Sequence, residues 1–347
     1  MLLHLPFIQE GHGMKGSFMM GRGITVLGMA GKMPRGARGI VCRVFTGALI
    51  ALFGGVALAD SSPPTAERPV RHVLFIGSDG MSAKVIREGA KVPNIRSLMT
   101  RGAWSLKART ILPSSSAANW ASIFQCSGPE LNGYNAWNSR EPVMPPAAKG
   151  ANGRFPDIFT ALRSARPDAK IGFAYVWPGI PFCADTNVCN FVIQTTPGAF
   201  GNATNGAHRA MLDWIRKERP DFMSIVFNWP DHGGHTFGWG SKAYLEEVEA
   251  VDAEVGLVLA AYREAGMLDS TFVAFTSDHG GIDKGHGGTT LDEMERPLVF
   301  AGPGVKKGYE IPWVTICPDV GATLAHVLGA RPERVWTGRA ITEIFSR

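Results

Sequence analysis

The chain has 347 residues, 45% of them hydrophobic, which is enough to bury the core of one large domain or of two smaller ones. Its net charge of +5 comes from residues 1–59, because the rest of the chain holds equal numbers of basic and acidic side chains. This balance argues against a patch for nucleic acid or another polyanion.

The first predicted element is a secretory leader. Three arginines between positions 35 and 43 precede the uncharged run VFTGALIALFGGVALA, which ends in the small-x-small triplet Ala57–Ala59. This order is typical of a signal peptide, and the run is shorter than the ~20 residues of a spanning helix. We therefore expect residues 1–59 to be a leader, with Met33 as an alternative start. The mature chain should be periplasmic or secreted, without a stable membrane span.

A polar, Pro-rich tether is predicted for residues 60–69, and strands and helices follow it. Short apolar runs stopped by Gly or polar residues predict strands, and apolar residues spaced along one face predict helices. The predicted strands are RHVLFIGSDG (71–80), KIGFAYVW (170–177), DFMSIVFNW (221–229) and STFVAFTSDHG (270–280); the predicted helices are NIRSLMTRGA (94–103), 241–265 and 318–328. Strands that alternate with helices favour one α/β domain, residues 70–347, around a mainly parallel sheet.

Three aspartates lie just beyond the last apolar residues of predicted strands: Asp79, Asp231 and Asp278. Taken singly, each is more typical of a turn or a helix cap than of a ligand. The carboxyl ends of the strands in an open α/β sheet face the ligand crevice, so three such residues should meet at one edge. Their equivalent positions favour a functional site.

Histidines accompany two of these aspartates. In PDHGGH, His235 follows Asp231 by four residues; in SDHGGIDKGHGG, His279 is adjacent to Asp278 and His286 comes seven residues later. Carboxylate oxygens mixed with imidazole nitrogens suit Zn²⁺ or a similar divalent ion, whereas calcium and magnesium sites use oxygen almost alone. The two motifs therefore predict a metal centre.

Seven segments, in this order and spacing, resemble the alkaline phosphatase superfamily and, within it, the type I phosphodiesterase/nucleotide pyrophosphatase branch. They are VLFIGSDGM, PNIRSLMTRGA, ILPSSSAANWASI, YVWPG, PDHGGHTFG, TSDHGGIDKGHG and PDVGATLAHVLG. The resemblance implies a doubly wound α/β sandwich, with helices on both faces of the sheet and a two-zinc site at the strand ends. It also implies a small phosphate ester or nucleotide-like substrate.

The resemblance also implies residue roles. One metal would be held by Asp79, Asp278 and His279, and the other by Asp231, His235 and His286. Ser116 would be the metal-bound nucleophile, because the family places a Thr or Ser three residues before an Asn, and Asn119 would bind a phosphoryl oxygen. The family's Pro before that Asn is Ala118 here, and its following His is Trp120. A serine-rich turn is otherwise typical of a helix N-cap.

The chemistry implied by the resemblance is hydrolysis of a phosphodiester or pyrophosphate through a phosphoseryl intermediate, since two metals ~4 Å apart stabilise the attacking and leaving oxygens. A phosphomonoesterase on the same scaffold is the alternative, although no motif places an arginine to clamp a dianion. A sulfatase would need a C/S-x-P-x-R segment, which SSSAANW lacks. A non-catalytic binding protein would not be expected to keep six ligands and a nucleophile.

The surroundings of the site give weaker expectations. Trp177, at a strand end, borders the leaving-group pocket or is buried, and the segment 132–154 overlies the site. Trp137 and Trp239 are expected to be packing residues.

Four cysteines remain beyond the leader, and an even number outside the cytoplasm is compatible with disulfides. Cys183 and Cys189, which close the short loop CADTNVC, are the expected pair. The scattered cysteines lack the CxxC spacing of a zinc site.

Overall fold

The computed structural model describes residues 70–195 and 206–346, so the predicted leader and tether lie outside the described residues. The strands are β1 His72–Ser78, β2 Gly102–Arg109, β3 Ile171–Tyr175, β4 Phe191–Gln194, β5 Phe222–Phe227, β6 Thr271–Ser277, β7 Glu295–Ala301 and β8 Tyr309–Glu310. The helices are α1 Ala83–Arg87, α2 Pro93–Arg101, α3 Ser116–Phe124, α4 Pro129–Asn132, α5 Ile158–Ala165, α6 Gly206–Glu218, α7 Asp231–Phe237, α8 Lys242–Glu264, α9 Leu291–Met294 and α10 Cys317–Leu328. In these ranges, no helix is both long and apolar enough to cross a bilayer.

The eight strands form one sheet in the order β4-β3-β5-β1-β6-β7-β2-β8. Only β7 runs against its neighbours, since it pairs antiparallel with both β6 and β2, and the other pairs are parallel. The predicted mainly parallel α/β architecture is confirmed. Strands β1, β5 and β6, which form the middle of the sheet, are almost wholly buried and read as continuous apolar runs for that reason.

Helices cover both faces of the sheet, as expected for a doubly wound fold. Along β1, Val73 and Phe75 point to the core beneath α3, α5 and α10, whereas Leu74 and Ile76 point to the core beneath α1, α2, α6 and α8. Burial of each large apolar side chain stabilises the folded state by about 1.5–3 kcal/mol. Two separate cores therefore hold the strand ends rigidly in place.

Each helix and strand predicted from the sequence is present, with small shifts at the ends. The segment NIRSLMTRGA is helical only to Arg101, because Gly102 already begins β2 opposite Ala301. A Cβ at Gly102 would lie 2.0 Å from the carbonyl oxygen of Phe300, so this close strand pairing requires glycine.

The predicted disulfide between Cys183 and Cys189 is wrong, since both residues are free thiols. The Sγ of Cys183 is buried and points to the carbonyl oxygens of Ala117 and Gly179, at 3.6 and 3.8 Å. Cys189 lies beyond a separate 3₁₀ turn and packs at the border of the core. Short sequence spacing therefore did not bring the two sulfurs together.

Candidate metal centre and active site

The carboxyl ends of two adjacent strands deliver the first two aspartates. Asp79 directly follows β1 and Asp278 directly follows β6, and the register of the two strands places Ser78 opposite Ser277. Asp231 begins α7, beyond the end of β5, and its backbone N–H donates to the carbonyl of Asp79 over 3.1 Å. The three carboxylates thus meet at one edge of the sheet.

A first group of candidate metal ligands is completely buried. It consists of Asp79, Asp278 and His279, and one ligand atom from each lies within 4.8 Å of the others. The Nε2 atom of His279 is 3.3 Å from Oδ2 of Asp278 and 3.5 Å from Oδ1 of Asp79. These are the three residues that the sequence predicts for one metal.

A second group lies at the border of the site. It consists of Asp231, His235 and His286, again with ligand atoms within 4.8 Å of one another. PDHGGH forms the short helix α7 rather than a loop, so the four-residue spacing puts Asp231 and His235 on one helix face. Nε2 of His235 is 3.5 Å from Oδ2 of Asp231 and 3.1 Å from Nε2 of His286.

Backbone carbonyls fix the tautomer of all three histidines. Nδ1 of His279, His235 and His286 lies 2.7, 3.0 and 2.9 Å from the carbonyl oxygens of Gly280, Lys284 and Ser114. A carbonyl only accepts, so each Nδ1 carries the proton and each Nε2 presents its lone pair to the site. This is the arrangement in which imidazole binds a metal.

A bound positive charge would stabilise the carboxylates of the two groups. Burial, followed by the charge of Asp278, raises the pKa of Asp79 to about 8, and burial raises the pKa of Asp278 to about 7. Burial also raises the pKa of Asp231 well above its ordinary value, and it lowers the pKa of His286 to about 3. The raised pKa values show that uncompensated negative charge is unfavourable at this buried edge, so a bound cation would stabilise the ionised carboxylates.

Two buried oxygens in the cluster also lack a hydrogen-bond donor: Oδ1 of Asp231 and Oδ2 of Asp278. An unpaired buried carboxylate oxygen is costly, and a bound cation would satisfy it. A pair of divalent cations fits this site for three reasons. The ligands mix oxygen and nitrogen, the Nε2 lone pairs of the histidines face the site, and these two oxygens lack a partner.

Ser116 is the first residue of α3 and lies beside the buried group. Its Oγ is 3.2 Å from Nε2 of His279 and 3.4 Å from Oδ1 of Asp79. The neighbouring serines differ: the hydroxyl of Ser114 is engaged with the backbone of 287–288, and the hydroxyl of Ser115 has no partner. Of the three hydroxyl groups, that of Ser116 is the one that lies within hydrogen-bond distance of candidate metal ligands.

Asn119 does not take the predicted place at the reacting phosphoryl group. It is fully buried, its Oδ1 accepts from the N–H of Ile111, and its Nδ2 donates to the carbonyls of Pro113 and Ser115, each at 3.0 Å. The oxygen and the nitrogen of the side-chain amide are thus both hydrogen-bonded to the turn before Ser116. The sequence alone did not reveal that the side chain of Asn119 is buried in the turn.

Trp120, where the resemblance places a histidine, contacts the candidate metal ligand Asp79. Its indole Nε1 donates to Oδ2 of Asp79 over 3.1 Å. The ring lies against β1, where a Cβ at Gly77 would come within 2.5 Å of it. Sequence reasoning missed this contact, although the departure from the family's histidine was a signal.

A cavity of about 670 Å³ opens above Ser116 and the second group. Trp177 lines it, as expected, and so do Asn135 and Trp137 from the segment 132–154. Trp137 is 59% exposed, so the prediction that it is a packing residue is wrong. Trp239 is a packing residue: its indole donates to the carbonyl of Gly80 and its ring meets that of His235 edge-on.

Comparison with known proteins identifies the family and the fold of this chain. The sequence profile of the type I phosphodiesterase/nucleotide pyrophosphatase family matches residues 73–337. The chain is 24% identical over 253 residues to ectonucleotide pyrophosphatase/phosphodiesterase family member 3 of Bos taurus, a match that covers 65% of this chain and 28% of that protein. The chain therefore spans less than a third of that relative's length.

Solved structures share the fold. Human ectonucleotide pyrophosphatase/phosphodiesterase 5 superposes with a TM-score of 0.64 at 13% identity, covering 80% of this chain and 100% of that one. A 2-O GAG sulfatase gives a TM-score of 0.65 at 15% identity, covering 80% and 74%. At such low sequence identities, the superpositions show a shared fold only. The family profile, in contrast, matches most of the described residues. The chain belongs to the type I phosphodiesterase/nucleotide pyrophosphatase family.

Proposed function

We propose that this chain is a metal-dependent hydrolase of phosphodiester or pyrophosphate bonds in nucleotide-like compounds, with Ser116 as its nucleophile. One observation carries the proposal: the Oγ of Ser116 lies within 3.4 Å of both Asp79 and His279, beside two groups of metal-type ligands. The family membership and the name of the bovine relative support phosphoric ester chemistry.

Two divalent cations, which we propose to be Zn²⁺, fit the two groups. Asp79, Asp278 and His279 would hold one, and Asp231, His235 and His286 the other, with Ser116 as a further ligand. Such a pair lowers the pKa of a serine hydroxyl and stabilises the charge on attacking and leaving oxygens.

The residues of this chain would then act in two steps. Ser116 Oγ attacks phosphorus, the bond from phosphorus to the leaving oxygen breaks, and the leaving alcohol or phosphate departs with the hydroxyl proton while the other substituent stays on the phosphorus that is now bound to Oγ. Water next attacks the same phosphorus, breaks the bond to Oγ, and returns a proton to the serine. The fixed tautomers of His235, His279 and His286 would keep their Nε2 atoms directed at the proposed metal positions throughout.

The cavity favours diesters over monoesters. Among the described residues that line it, none is an arginine or a lysine, so the side chains supply no cation for the extra charge of a monoester. Asn135 and Asn228 bring uncharged amides to the wall, which suit a non-bridging oxygen, and Trp137 and Trp177 bring aromatic surface for the leaving group.

We also propose that the mature chain works outside the cytoplasm, in the periplasm or after secretion. The proposal rests on the basic segment, apolar run and small-x-small triplet before residue 60.

Hydrolysis by the metal-loaded mature chain tests the proposed function. We expect bis-p-nitrophenyl phosphate to be cleaved with a higher kcat/KM than p-nitrophenyl phosphate, and p-nitrophenyl sulfate not to be cleaved. Ser116→Ala should lower kcat at least ~1,000-fold, whereas Ser115→Ala, its neighbour in the same cavity, should stay within about tenfold of the wild type. Faster cleavage of the monoester would identify a phosphomonoesterase instead, and an active Ser116→Ala variant would refute the nucleophile.

A further inference from the structure

A second cavity, of about 570 Å³, is lined in part by the chain segment that also lines the catalytic cavity. Tyr134 and Arg140 line this second cavity, whereas Asn135 and Trp137 from the same segment line the catalytic cavity. The volume is within the range of small-molecule sites, about 300–1,000 Å³. None of the proposed catalytic or metal-binding residues contributes to it.

Phe182 organises the walls of the second cavity. The hydroxyl of Tyr134 and Nη2 of Arg154 both donate to the carbonyl oxygen of Phe182, each over 2.6 Å. The guanidinium of Arg140 lies 5.6 Å from the centre of the Phe182 ring. Tyr134 is only 3% exposed, so the walls are held in place before any ligand arrives.

The lining carries an excess of positive charge. Arg140, Lys149 and Arg154 face a single acidic residue, Glu141. None of the three cations forms an ion pair with a carboxylate of residues 70–195 or 206–346. An arginine fork and a lysine without acidic partners, placed in a concave wall, attract a phosphate or a carboxylate.

One residue that lines the cavity, Gln125, has a hydrogen-bond acceptor without a partner. Gln125 lines the cavity at 2% exposure, and its Nε2 donates to the carbonyl of Cys183 over 3.0 Å. Its Oε1 is buried and has no partner. A buried amide oxygen is an acceptor, so a ligand with an N–H or O–H group would satisfy it.

We propose that this cavity binds a nucleoside monophosphate, since such a compound combines a phosphate, an aromatic part and a hydrogen-bond donor. The phosphate meets Arg140, Lys149 and Arg154, the planar base lies among the aromatic and proline side chains, and an N–H of the base reaches Oε1 of Gln125. This assignment comes from the lining of the second cavity and does not depend on hydrolysis at Ser116.

Calorimetric titration of the metal-loaded mature chain with AMP tests the proposal. The variant Arg140→Gln/Lys149→Gln removes two exposed cations, and Lys91→Gln/Arg334→Gln removes two exposed cations elsewhere, with the same change in net charge. We expect the first variant to bind one AMP fewer per chain than the wild type, or to bind it at least tenfold more weakly, and the control to match the wild type. An unchanged number and affinity of AMP sites in the first variant would overturn the proposal.

Phenyl phosphate, which has the ring and the phosphate but no base N–H, tests the part played by Gln125. We expect it to bind the second cavity about tenfold more weakly than AMP, as for the loss of one buried hydrogen bond. Equal affinities would contradict the role of Gln125. Hydrolysis of bis-p-nitrophenyl phosphate by the same preparations separates the two proposals, because loss of AMP binding with intact hydrolysis, or the reverse, assigns each result to one cavity.

Discussion

The indole of Trp120 donates a hydrogen bond of 3.1 Å to Oδ2 of Asp79, while Oδ1 of the same carboxylate lies 3.4 Å from the hydroxyl of Ser116. Ser116 and Trp120 are four residues apart on α3 and therefore share a face of that helix. One helix thus carries the proposed nucleophile and the group that orients a proposed metal ligand.

Trp120→Phe keeps an aromatic ring in the core but removes this hydrogen bond. We expect the affinity for one of the two metals to fall by about 10- to 100-fold, because partners that orient a ligating carboxylate contribute on that scale. Competition with a chromophoric chelator measures the effect. Trp336→Phe is the matched control, since it removes an indole hydrogen bond of 3.0 Å to the carbonyl of Pro156. Equal metal affinities in both variants would show that the contact with Asp79 has no such role.

The fold and the positions of two candidate ligands were predictable from the sequence for one physical reason. Strands buried on both faces are continuous apolar runs, so β1, β5 and β6 stand out, and their ends locate Asp79 and Asp278 without any coordinates. The short edge strands β4 and β8 gave no such signal. Strands β2 and β7 were also missed, and the apolar run of β7 is interrupted by a proline and the fully buried Arg296.

The directions of individual side chains were not predictable. Asn119 and Asn135 are both asparagines near the nucleophile, yet tertiary packing turns one into the core and leaves the other on the cavity wall. The same limit applies to Cys183 and Cys189. Their close spacing suggested a bond, but Sγ of Cys183 points to backbone carbonyls and both thiols are free.

Asn119 and Asn135 should therefore respond differently to substitution by alanine. Asn119→Ala leaves the N–H of Ile111 without its acceptor, so we expect the free energy of unfolding in urea to fall by about 3 kcal/mol. Asn135→Ala should leave that free energy unchanged and lower kcat/KM for the diester by about tenfold or more, as for one lost hydrogen bond to a charged group. Loss of activity without loss of stability in Asn119→Ala, together with the reverse in Asn135→Ala, would support the phosphoryl contact that the family motif predicts for Asn119.

Removal of metal should make stability depend on pH in a defined direction. The pKa of Asp79 is raised from 3.8 to about 8, chiefly by burial, so the folded metal-free protein binds this proton more tightly than the unfolded chain. Its contribution to stability is complete below about pH 4 and is lost as the pH rises toward 8. Urea unfolding of chelator-treated protein at pH 5.5 and pH 8 measures the loss.

Asp79→Asn provides the control for this pH dependence, because the amide does not titrate. We expect the metal-free variant to lose less stability than the metal-free wild type between the two pH values. Identical losses would mean that Asp79 does not titrate in this range. In the wild type, metal binding releases protons, so metal affinity should fall as the solution is acidified.

During hydrolysis, Ser116 should form a covalent bond to phosphorus. Acid quenching of the metal-loaded enzyme during turnover of bis-p-nitrophenyl phosphate, followed by peptide mass spectrometry, detects such a bond. We expect a p-nitrophenylphosphoryl group on Ser116 that is absent from Ser116→Ala. A phosphoryl group on Ser114 or Ser115 instead, or rapid turnover with no modified serine at any quench time, would contradict it.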